Sequence, residues 1–227
     1  MQTRASGGDI WASMKDVKSG MMMSKTTFPP SIKSRPIYGD LQPRPGTAHV
    51  VIADGEGAEA LADLLERVPD RAGMLAAMHV LYAPGPNGTD QWAAVQAMGA
   101  AQSYRAPTIP AMLPRMAKVV AEAHMGTQFY LAGTEGLIGQ TEREIMMTGF
   151  PFAAIQKEHR GSTLRRVQCV HCKGITENVA TDPFRCSHCG LNLFVRDHYS
   201  RRIAAFQGVN IDAEDPGLVP AAVERFK

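Results

Sequence analysis

Residues 49–68 read HVVIADGEGAEALADLLERV, and this stretch decides the fold of the larger part of the chain. It opens with a short apolar run that contains β-branched side chains, which is typical of a buried strand. The DGEG sequence at 54–57 predicts a tight turn, because paired glycines commonly break regular structure. Apolar residues then recur at helical spacing through residues 58–68. The stretch therefore predicts a strand, a glycine turn and a helix.

The same alternation of strand and helix continues along the chain. Predicted strands lie at 78–82, 128–132 and 152–156, and predicted helices lie at 90–101, 113–124 and 137–148. Residues 106–114 contain three prolines and predict a bend. Because strands that alternate with helices are joined by right-handed crossovers, the pattern predicts a parallel sheet with helices on its faces. We assign residues 47–160 to a small Rossmann-like α/β domain.

All the cysteines of the chain form a second pattern, in which Cys169 and Cys172 make one C-x2-C pair and Cys186 and Cys189 make another. Each pair can form a tight knuckle that presents two thiolates, and two knuckles complete a tetrahedral site. We expect zinc there, with iron in a rubredoxin-like centre as the alternative. Four thiolates leave no open coordination position, so we expect a structural site. The zinc-ribbon or rubredoxin-like module that holds it is assigned to residues 161–208.

Histidines, cations and aromatic residues surround these cysteines. His171 and His188 occupy the third position of each knuckle, and we expect both to be solvated rather than bound to the metal. Aromatic residues of the module are expected to form a small core rather than to stack on bases: Phe184, Phe194, Tyr199 and Phe206. The cations are consistent with a nucleic-acid-binding zinc ribbon or with docking onto an acidic protein: Arg160, Arg165, Arg166, Lys173, Arg185, Arg196, Arg201 and Arg202.

The two ends of the chain are predicted to be peripheral segments. Residues 1–46 contain several prolines and no sustained periodicity, which indicates an extended N-terminal arm over a neighbouring surface. Residues 209–227 are predicted to be a C-terminal tail that ends in a short amphipathic stretch. Segments of this kind gain little on a small domain of their own, but they can add buried area at a subunit interface.

Charge and hydropathy narrow the class of protein. The formal net charge of +2 argues neither for nor against nucleic acid. No apolar run reaches the roughly 18 residues needed to cross a bilayer. The N-terminus lacks the apolar core of a signal peptide. Cysteines in two close pairs are typical of metal binding in a reducing compartment. We therefore expect a cytoplasmic protein without a membrane partner.

The strand, turn and helix at 49–68 resemble the opening unit of the NAD(P)-binding domain of ferredoxin reductases, in which a glycine turn holds the pyrophosphate. Residues 129–159, FYLAGTEGLIGQTEREIMMTGFPFAAIQKEH, resemble the closing unit of the same domain. Gly133 and Gly136 match the glycines of that unit. The resemblance implies the fold of the reductase NAD domain.

The same turn departs from the reductase pattern at the positions that bind the cofactor. Asp54 stands where the family has a glycine, and Glu56 stands where it has a threonine or serine. Ala132 replaces the cysteine that the family places beside the nicotinamide. Two carboxylates repel a phosphate rather than bind it. We therefore expect no cofactor-binding residues and no catalytic residues in this domain.

The C-terminal sequence also resembles a particular family. C-V-H-C-K-G, then F-R-C-S-H-C-G-L-N-L-F-V-R-D-H-Y-S-R-R and A-A-F-Q-G-V, are similar to the DmmA-like small subunit of dimethylamine monooxygenase, also described as a heme-dependent oxidative N-demethylase. The resemblance is most specific over residues 167–209. It implies a hetero-oligomer that oxidises dimethylamine to methylamine and formaldehyde.

The resemblance further implies which subunits hold the cofactors. Electrons from NADPH would pass through a flavin (FMN) and iron–sulfur reductase subunit to a heme subunit, and a folate-binding subunit would take up formaldehyde. Heme, FMN, iron–sulfur, NADPH and folate are thus expected only on partner subunits. We therefore predict a non-catalytic assembly subunit with a structural zinc. The alternatives are an electron carrier with a four-cysteine iron site and a nucleic-acid-binding zinc ribbon.

Overall fold

The computed structural model describes residues 34–227. Five strands form a sheet in which every neighbouring pair is parallel, with the order β3-β2-β1-β4-β5. The strands are β1 (Ala48–Asp54), β2 (Met78–Ala83), β3 (Gln102–Arg105), β4 (Thr127–Gly133) and β5 (Ile155–His159). The helices are α1 (Gly57–Glu66), α2 (Arg71–Ala76), α3 (Trp92–Ala97), α4 (Ile109–Ala121) and α5 (Glu135–Met147), and a 3-10 turn spans Phe152–Ala154. This strand order is that of a doubly wound Rossmann-like sheet, which confirms the predicted fold class.

Both faces of this sheet are covered, which explains the continuous apolar runs of its central strands. In β1, Val51 and Ala53 belong to an apolar cluster with α1, whereas Val50 and Ile52 belong to a second cluster with α4 and α5. The carboxyl ends of β1 and β4 lie side by side in the centre of the sheet, where the chain order reverses. In α/β sheets this reversal point is the usual position of a ligand.

Three predicted elements differ from the structure, and two observed elements were not predicted. The predicted bend at 106–114 is wrong from Ile109 onwards, because α4 begins there. Thr108 caps this helix by accepting a hydrogen bond from the Ala111 N–H at 3.3 Å, and the first proline of the helix lies in the turn where no N–H donor is needed. The helix predicted at 90–101 is shorter in the structure, where α3 spans Trp92–Ala97. The strand predicted at 152–156 begins at Ile155. Helix α2 and strand β3 were not predicted.

The cysteine module is a second, mixed sheet with the order β7-β6-β11-β10-β9. Its strands are β6 (Arg165–Cys169), β7 (Ile175–Val179), β9 (Phe184–Arg185), β10 (Asn192–Ser200) and β11 (Ala205–Asn210). A two-stranded sheet pairs β8 (Thr181–Asp182) with β12 (Val223–Glu224). The core contains Val167, Leu193, Val195, Phe206 and two of the cysteines. Sheet and cysteines together form a zinc-ribbon-like module, as predicted.

The N-terminal segment that is described, residues 34–46, runs along the edge strand β5. The Gly39 N–H donates to the Lys157 carbonyl at 3.0 Å, and the Leu41 N–H donates to the Glu158 carboxylate at 2.7 Å. Leu41 is fully buried in the cluster beneath α1. The remainder of the predicted arm lies outside the described residues.

The end of the tail packs on the cysteine module. Phe226 is buried in the core of the module, and the Arg225 guanidinium pairs with the Asp182 carboxylate at 2.6 Å. The Lys227 N–H donates to the Thr163 hydroxyl at 2.8 Å. The last residues of the tail therefore contribute to the fold of their own chain.

The two sheets meet at helix α5. A β-carbon on Gly139 would overlap the Tyr199 hydroxyl, so the absence of a side chain there allows β10 to approach the helix. Within residues 34–227, no helix is both long enough and apolar enough to cross a membrane.

Candidate metal centre and the crevice of the parallel sheet

The two cysteine pairs lie in matching turns of the backbone. The Lys173 N–H donates to the Cys169 carbonyl at 3.0 Å, and the Gly190 N–H donates to the Cys186 carbonyl at 3.1 Å. Lys173 and Gly190 both have positive φ values, 62° and 77°. A residue in this left-handed conformation allows the chain to turn back immediately after the second cysteine of each pair. The repeated C-x2-C spacing therefore folds into two equivalent knuckles.

The four sulfur atoms converge. The Sγ atoms of Cys169, Cys172, Cys186 and Cys189 all lie within 4.8 Å of one another. Two of the distances, between Cys169 and Cys189 and between Cys172 and Cys186, are 3.8 Å. A tetrahedral ion with metal–sulfur bonds of about 2.3 Å requires sulfur atoms about 3.8 Å apart. The donor set therefore has a geometry that could hold one tetrahedral metal ion.

The local electrostatics show why such a cluster needs a cation. Burial raises the pKa of Cys186, but the N–H groups of Cys189 and His188 stabilise its thiolate and lower the pKa to about 6. The Leu191 N–H lowers the pKa of the Cys189 thiol, whereas burial and the three neighbouring sulfur atoms raise it to about 12. The sulfur atoms cannot all ionise side by side unless a cation offsets their mutual repulsion.

The two histidines of the knuckles lie outside the donor set. Among residues 34–227, the four cysteines form the only group of three or more His, Cys, Asp or Glu side chains arranged to share a metal ion. His171 is exposed, as predicted. His188 packs on Gly174 and its Nε2 lies 2.8 Å from the Ile175 carbonyl, so this side chain links the two knuckles.

The crevice at the reversal point of the parallel sheet contains a buried carboxylate of the chain itself. Asp54, the last residue of β1, is fully buried. It accepts hydrogen bonds from the Thr134 N–H at 2.7 Å and the Thr134 hydroxyl at 2.6 Å. Burial raises the pKa of Asp54 to about 6, although both hydrogen bonds from Thr134 oppose the shift. A β-carbon on Gly133 would overlap the Asp54 carboxylate, so the β4 backbone closes over it.

The loops after β1 and β2 also close on each other. The Tyr82 hydroxyl donates to the Gly55 carbonyl at 3.2 Å and accepts from the Gln91 N–H at 2.7 Å. A β-carbon on Gly55 would lie 3.0 Å from the Gly85 α-carbon, so the two loops are in backbone contact. Sequence reasoning identified Asp54 but not Thr134 or Tyr82, because these contacts depend on which strands are neighbours.

The chain is remotely similar to several solved structures. Phthalate dioxygenase reductase is 13% identical, with a TM-score of 0.41, over 60% of this chain and 45% of that chain. The FAD/NAD-binding domain of a nitric oxide dioxygenase from Vibrio cholerae O1 biovar El Tor is 17% identical, with a TM-score of 0.34, over 52% of this chain and 53% of that chain. At these scores, the assignment of the fold rests on the strand order described above.

One curated relative is closer in sequence. The heme-dependent oxidative N-demethylase delta subunit of Ectopseudomonas mendocina (strain ymp) is 26% identical over 110 residues. The match covers 48% of this chain and 63% of the relative, so the chain spans less than two thirds of that protein's length.

Two family models match consecutive parts of the chain. The model described as "Dimethylamine monooxygenase subunit DmmA-like, N-terminal domain" matches residues 30–155, which include the whole parallel sheet up to the start of β5. The corresponding C-terminal domain model matches residues 166–209, which include all the cysteines. The resemblance inferred from the sequence is confirmed: this chain belongs to the DmmA-like family of dimethylamine monooxygenase subunits.

Proposed function

We propose that this chain is a non-catalytic assembly subunit of a multi-subunit N-demethylating monooxygenase. The observation that carries the proposal is a buried carboxylate of the chain itself at the reversal point of the parallel sheet. Asp54 accepts the Thr134 N–H and hydroxyl hydrogen bonds at the place where a Rossmann-like sheet normally binds a ligand. That carboxylate already accepts the hydrogen bonds that the Thr134 N–H and hydroxyl can donate. This domain is therefore suited to contact other proteins rather than to hold a nicotinamide cofactor.

The cysteine cluster supports the same role if it holds zinc. Zinc bound by four thiolates is coordinatively saturated and redox-inert, so it stabilises a fold without taking part in chemistry. The apolar cluster of the module around it is smaller than either cluster of the parallel sheet. A bound zinc ion would keep such a module rigid and allow it to present a defined surface to a partner.

The relatives indicate the kind of complex. The family description names dimethylamine monooxygenase, and the curated relative is named as the delta subunit of a heme-dependent oxidative N-demethylase. We propose that the substrate of the complex is dimethylamine and that the complex acts in the cytoplasm. Its partner subunits would carry heme, the FMN and iron–sulfur centres that accept electrons from NADPH, and folate. None of these cofactors is assigned to residues of this chain.

The deciding experiment compares the complex with and without this chain. The heme and reductase subunits are co-expressed with the full chain or without it, and complex mass and dimethylamine demethylation are measured. We expect both the complex and its turnover to be lost when the chain is omitted. Stable assembly and full turnover without the chain would refute the assembly role.

A second candidate function is electron transfer through iron in the same cluster. The observation that favours it is the position of Cys172 and Cys189, which lie nearer the surface than Cys169 and Cys186. Surface sulfur ligands would bring an iron centre close to a redox partner. Purified chain that contains stoichiometric iron and a visible thiolate-to-iron absorption would support this function. So would a complex that assembles without the chain but cannot reduce its heme.

A further inference from the structure

The outer face of strand β10 differs sharply from its inner face. Leu193, Val195 and Tyr199 point into the core of the module and are buried. The alternate residues Phe194, Arg196 and His198 are exposed, because successive side chains of a strand point to opposite faces. Phe194 is 39% exposed, although it is a large apolar side chain in the middle of a sheet.

The turn between β10 and β11 follows directly and carries two more exposed cations, Arg201 and Arg202. We call the set Phe194, Arg196, His198, Arg201 and Arg202 the basic ridge. Within residues 34–227, none of its three guanidinium groups forms a salt bridge with a carboxylate.

Other arginines of the module do have partners. The Arg165 guanidinium pairs with the Asp197 carboxylate at 2.7 Å and lies between two aromatic rings. The Arg166 guanidinium pairs with the Glu177 carboxylate at 2.7 Å. The charges of Arg165 and Arg166 are thus offset within the module, whereas the three arginines of the ridge are exposed and have no carboxylate partner among the described residues.

This composition is that of a protein interface. Interfaces are enriched in aromatic residues and arginine and depleted in lysine. Arginine is weakly hydrated and binds carboxylates in a bidentate manner, so its desolvation is more readily offset than that of lysine. All three strong cations of the ridge are arginines. An apolar ring such as that of Phe194 can be buried at an interface, between arginine–carboxylate pairs, and act as an anchor.

We propose that the basic ridge docks an acidic surface of a partner subunit. This inference rests on the proposed function, because it names the surface through which the assembly role would act. Unpaired arginines attract carboxylates over a distance and set orientation on contact. A protein partner is favoured over nucleic acid because the ridge offers a single exposed aromatic ring. In addition, the formal net charge of the whole chain is only +2.

The test is a charge reversal with a matched control. Arg196→Glu with Arg202→Glu reverses two charges on the ridge. Arg71→Glu with Lys118→Glu reverses two exposed charges on helices α2 and α4, which also lack a carboxylate partner within residues 34–227. Each full-length variant is co-purified with the other subunits of the complex, and the affinity is measured over a range of salt concentrations. A separate Phe194→Ser variant tests the aromatic anchor.

We expect the ridge variant to bind its partners at least about 10-fold more weakly at low salt, with a shallower salt dependence. The control variant should match wild type, and all variants should retain one metal ion per chain, which establishes that the module is folded. Equal binding of the ridge variant and wild type would overturn the ridge proposal while leaving the assembly role intact. If wild type itself does not associate with the subunits, both proposals fail.

Two further outcomes would also overturn the ridge proposal. Wild type could bind labelled duplex DNA or single-stranded RNA with a steep salt dependence that the ridge variant lacks, which would assign the ridge to nucleic acid. Wild type could instead self-associate through the ridge, for example with the acidic side chains of residues 212–215 of a second copy. Sedimentation of the purified chain, with and without the charge reversals, distinguishes this result from binding to another subunit.

Discussion

The parallel sheet of this protein buries both of its faces, whereas the sheet of the cysteine module buries one. Two apolar clusters, beneath α1 and beneath α4 and α5, sandwich the parallel strands. Strand β10 of the module alternates buried and exposed residues, and two of the side chains in the module's core are cysteines. The larger region can therefore be held by apolar burial alone. We expect the smaller region to depend in addition on the metal that its cysteines bind.

Apolar burial and metal binding contribute different amounts of free energy to the stability of the two regions. Full burial of one large apolar side chain contributes about 1.5–3 kcal/mol, and the parallel sheet buries many of them. A structural metal in a small domain contributes on the order of 10 kcal/mol. Removing the metal should therefore affect the module far more than any single substitution affects the parallel sheet. The predictions below test this contrast, from the largest expected effect to the smallest.

Replacing one sulfur ligand, Cys172→Ser or Cys189→Ser, should melt residues 165–208 and release the end of the tail that packs on them. The parallel sheet should remain largely folded, because its apolar clusters do not include the module. Metal analysis and amide hydrogen exchange, read segment by segment, measure both effects. His171→Ala is the control, since that side chain lies outside the donor set. A wild-type chain without stoichiometric bound metal would contradict the prediction.

The substitution Phe129→Ala perturbs the parallel sheet instead of the cysteine module. Phe129 is fully buried in β4, and its ring meets the Phe150 ring edge-on at 4.8 Å between centroids. Its truncation should lower the free energy of unfolding of the parallel sheet by about 3–5 kcal/mol. Metal content should stay at the wild-type value. Chemical denaturation measures the first quantity, and Met125→Ala, at a side chain that is 93% exposed, is the control. Loss of metal from the Phe129 variant would show that the two regions do not fold separately.

The buried carboxylate of Asp54 should make the stability of the parallel sheet depend on pH in the unusual direction. Because the pKa is raised from 3.8 to about 6 in the folded chain, the folded state binds an additional proton between these values. Stability should therefore fall as pH rises from about 4 to about 6, by roughly 3 kcal/mol, and stay level above that range.

Asp54→Asn keeps the shape of the side chain and removes its charge, so it should abolish this component of the pH dependence. We expect the variant to be more stable than wild type at pH 7 and similar to it at pH 4. Thermal unfolding of both proteins across this range measures the difference. A variant less stable than wild type at pH 7 would mean that Thr134 requires the charged acceptor.

A smaller effect should appear where the two regions meet. Gly139→Ala places a methyl group against the Tyr199 hydroxyl and should cost about 1–3 kcal/mol. Tyr199→Phe removes the oxygen and should restore most of this loss in the double variant. A double-mutant cycle of unfolding free energies measures the coupling. Additive effects would indicate that β10 and α5 move apart freely, and the two regions would then be independent.

The parts of this structure that could be predicted from sequence are those that depend on local pattern. The strands β1, β2 and β4 are continuous apolar runs, because both faces of each strand are buried. The cysteine site follows from the spacing of its ligands, since each knuckle is built from six neighbouring residues. Strand β3 carries only exposed residues and is defined by its backbone pairing with β2, so no periodicity marks it.

The contacts that could not be predicted join distant parts of the chain. Asp54 and Thr134 are 80 residues apart, and only the adjacency of β1 and β4 brings them together. The packing of Phe226 beneath the cysteine module likewise depends on a tail that returns after a long exposed stretch. The start of α4 was missed for a different reason, because its prolines indicate a bend unless the Thr108 cap is recognised.

The last prediction concerns the smallest expected effect, which is the absence of tight NADPH binding by the isolated chain. Asp54 already accepts the Thr134 N–H hydrogen bond, and Glu56 packs against the Gly161 backbone. Titration calorimetry should detect no low-micromolar binding to wild type. The Asp54→Asn variant separates charge from shape. We expect it to bind no better, because the Tyr82 hydroxyl and the Gly55–Gly85 contact still hold the loops after β1 and β2 against each other. NADPH binding to this variant but not to wild type would show that the charge of Asp54 excludes the cofactor. Low-micromolar NADPH binding to wild type would contradict the prediction.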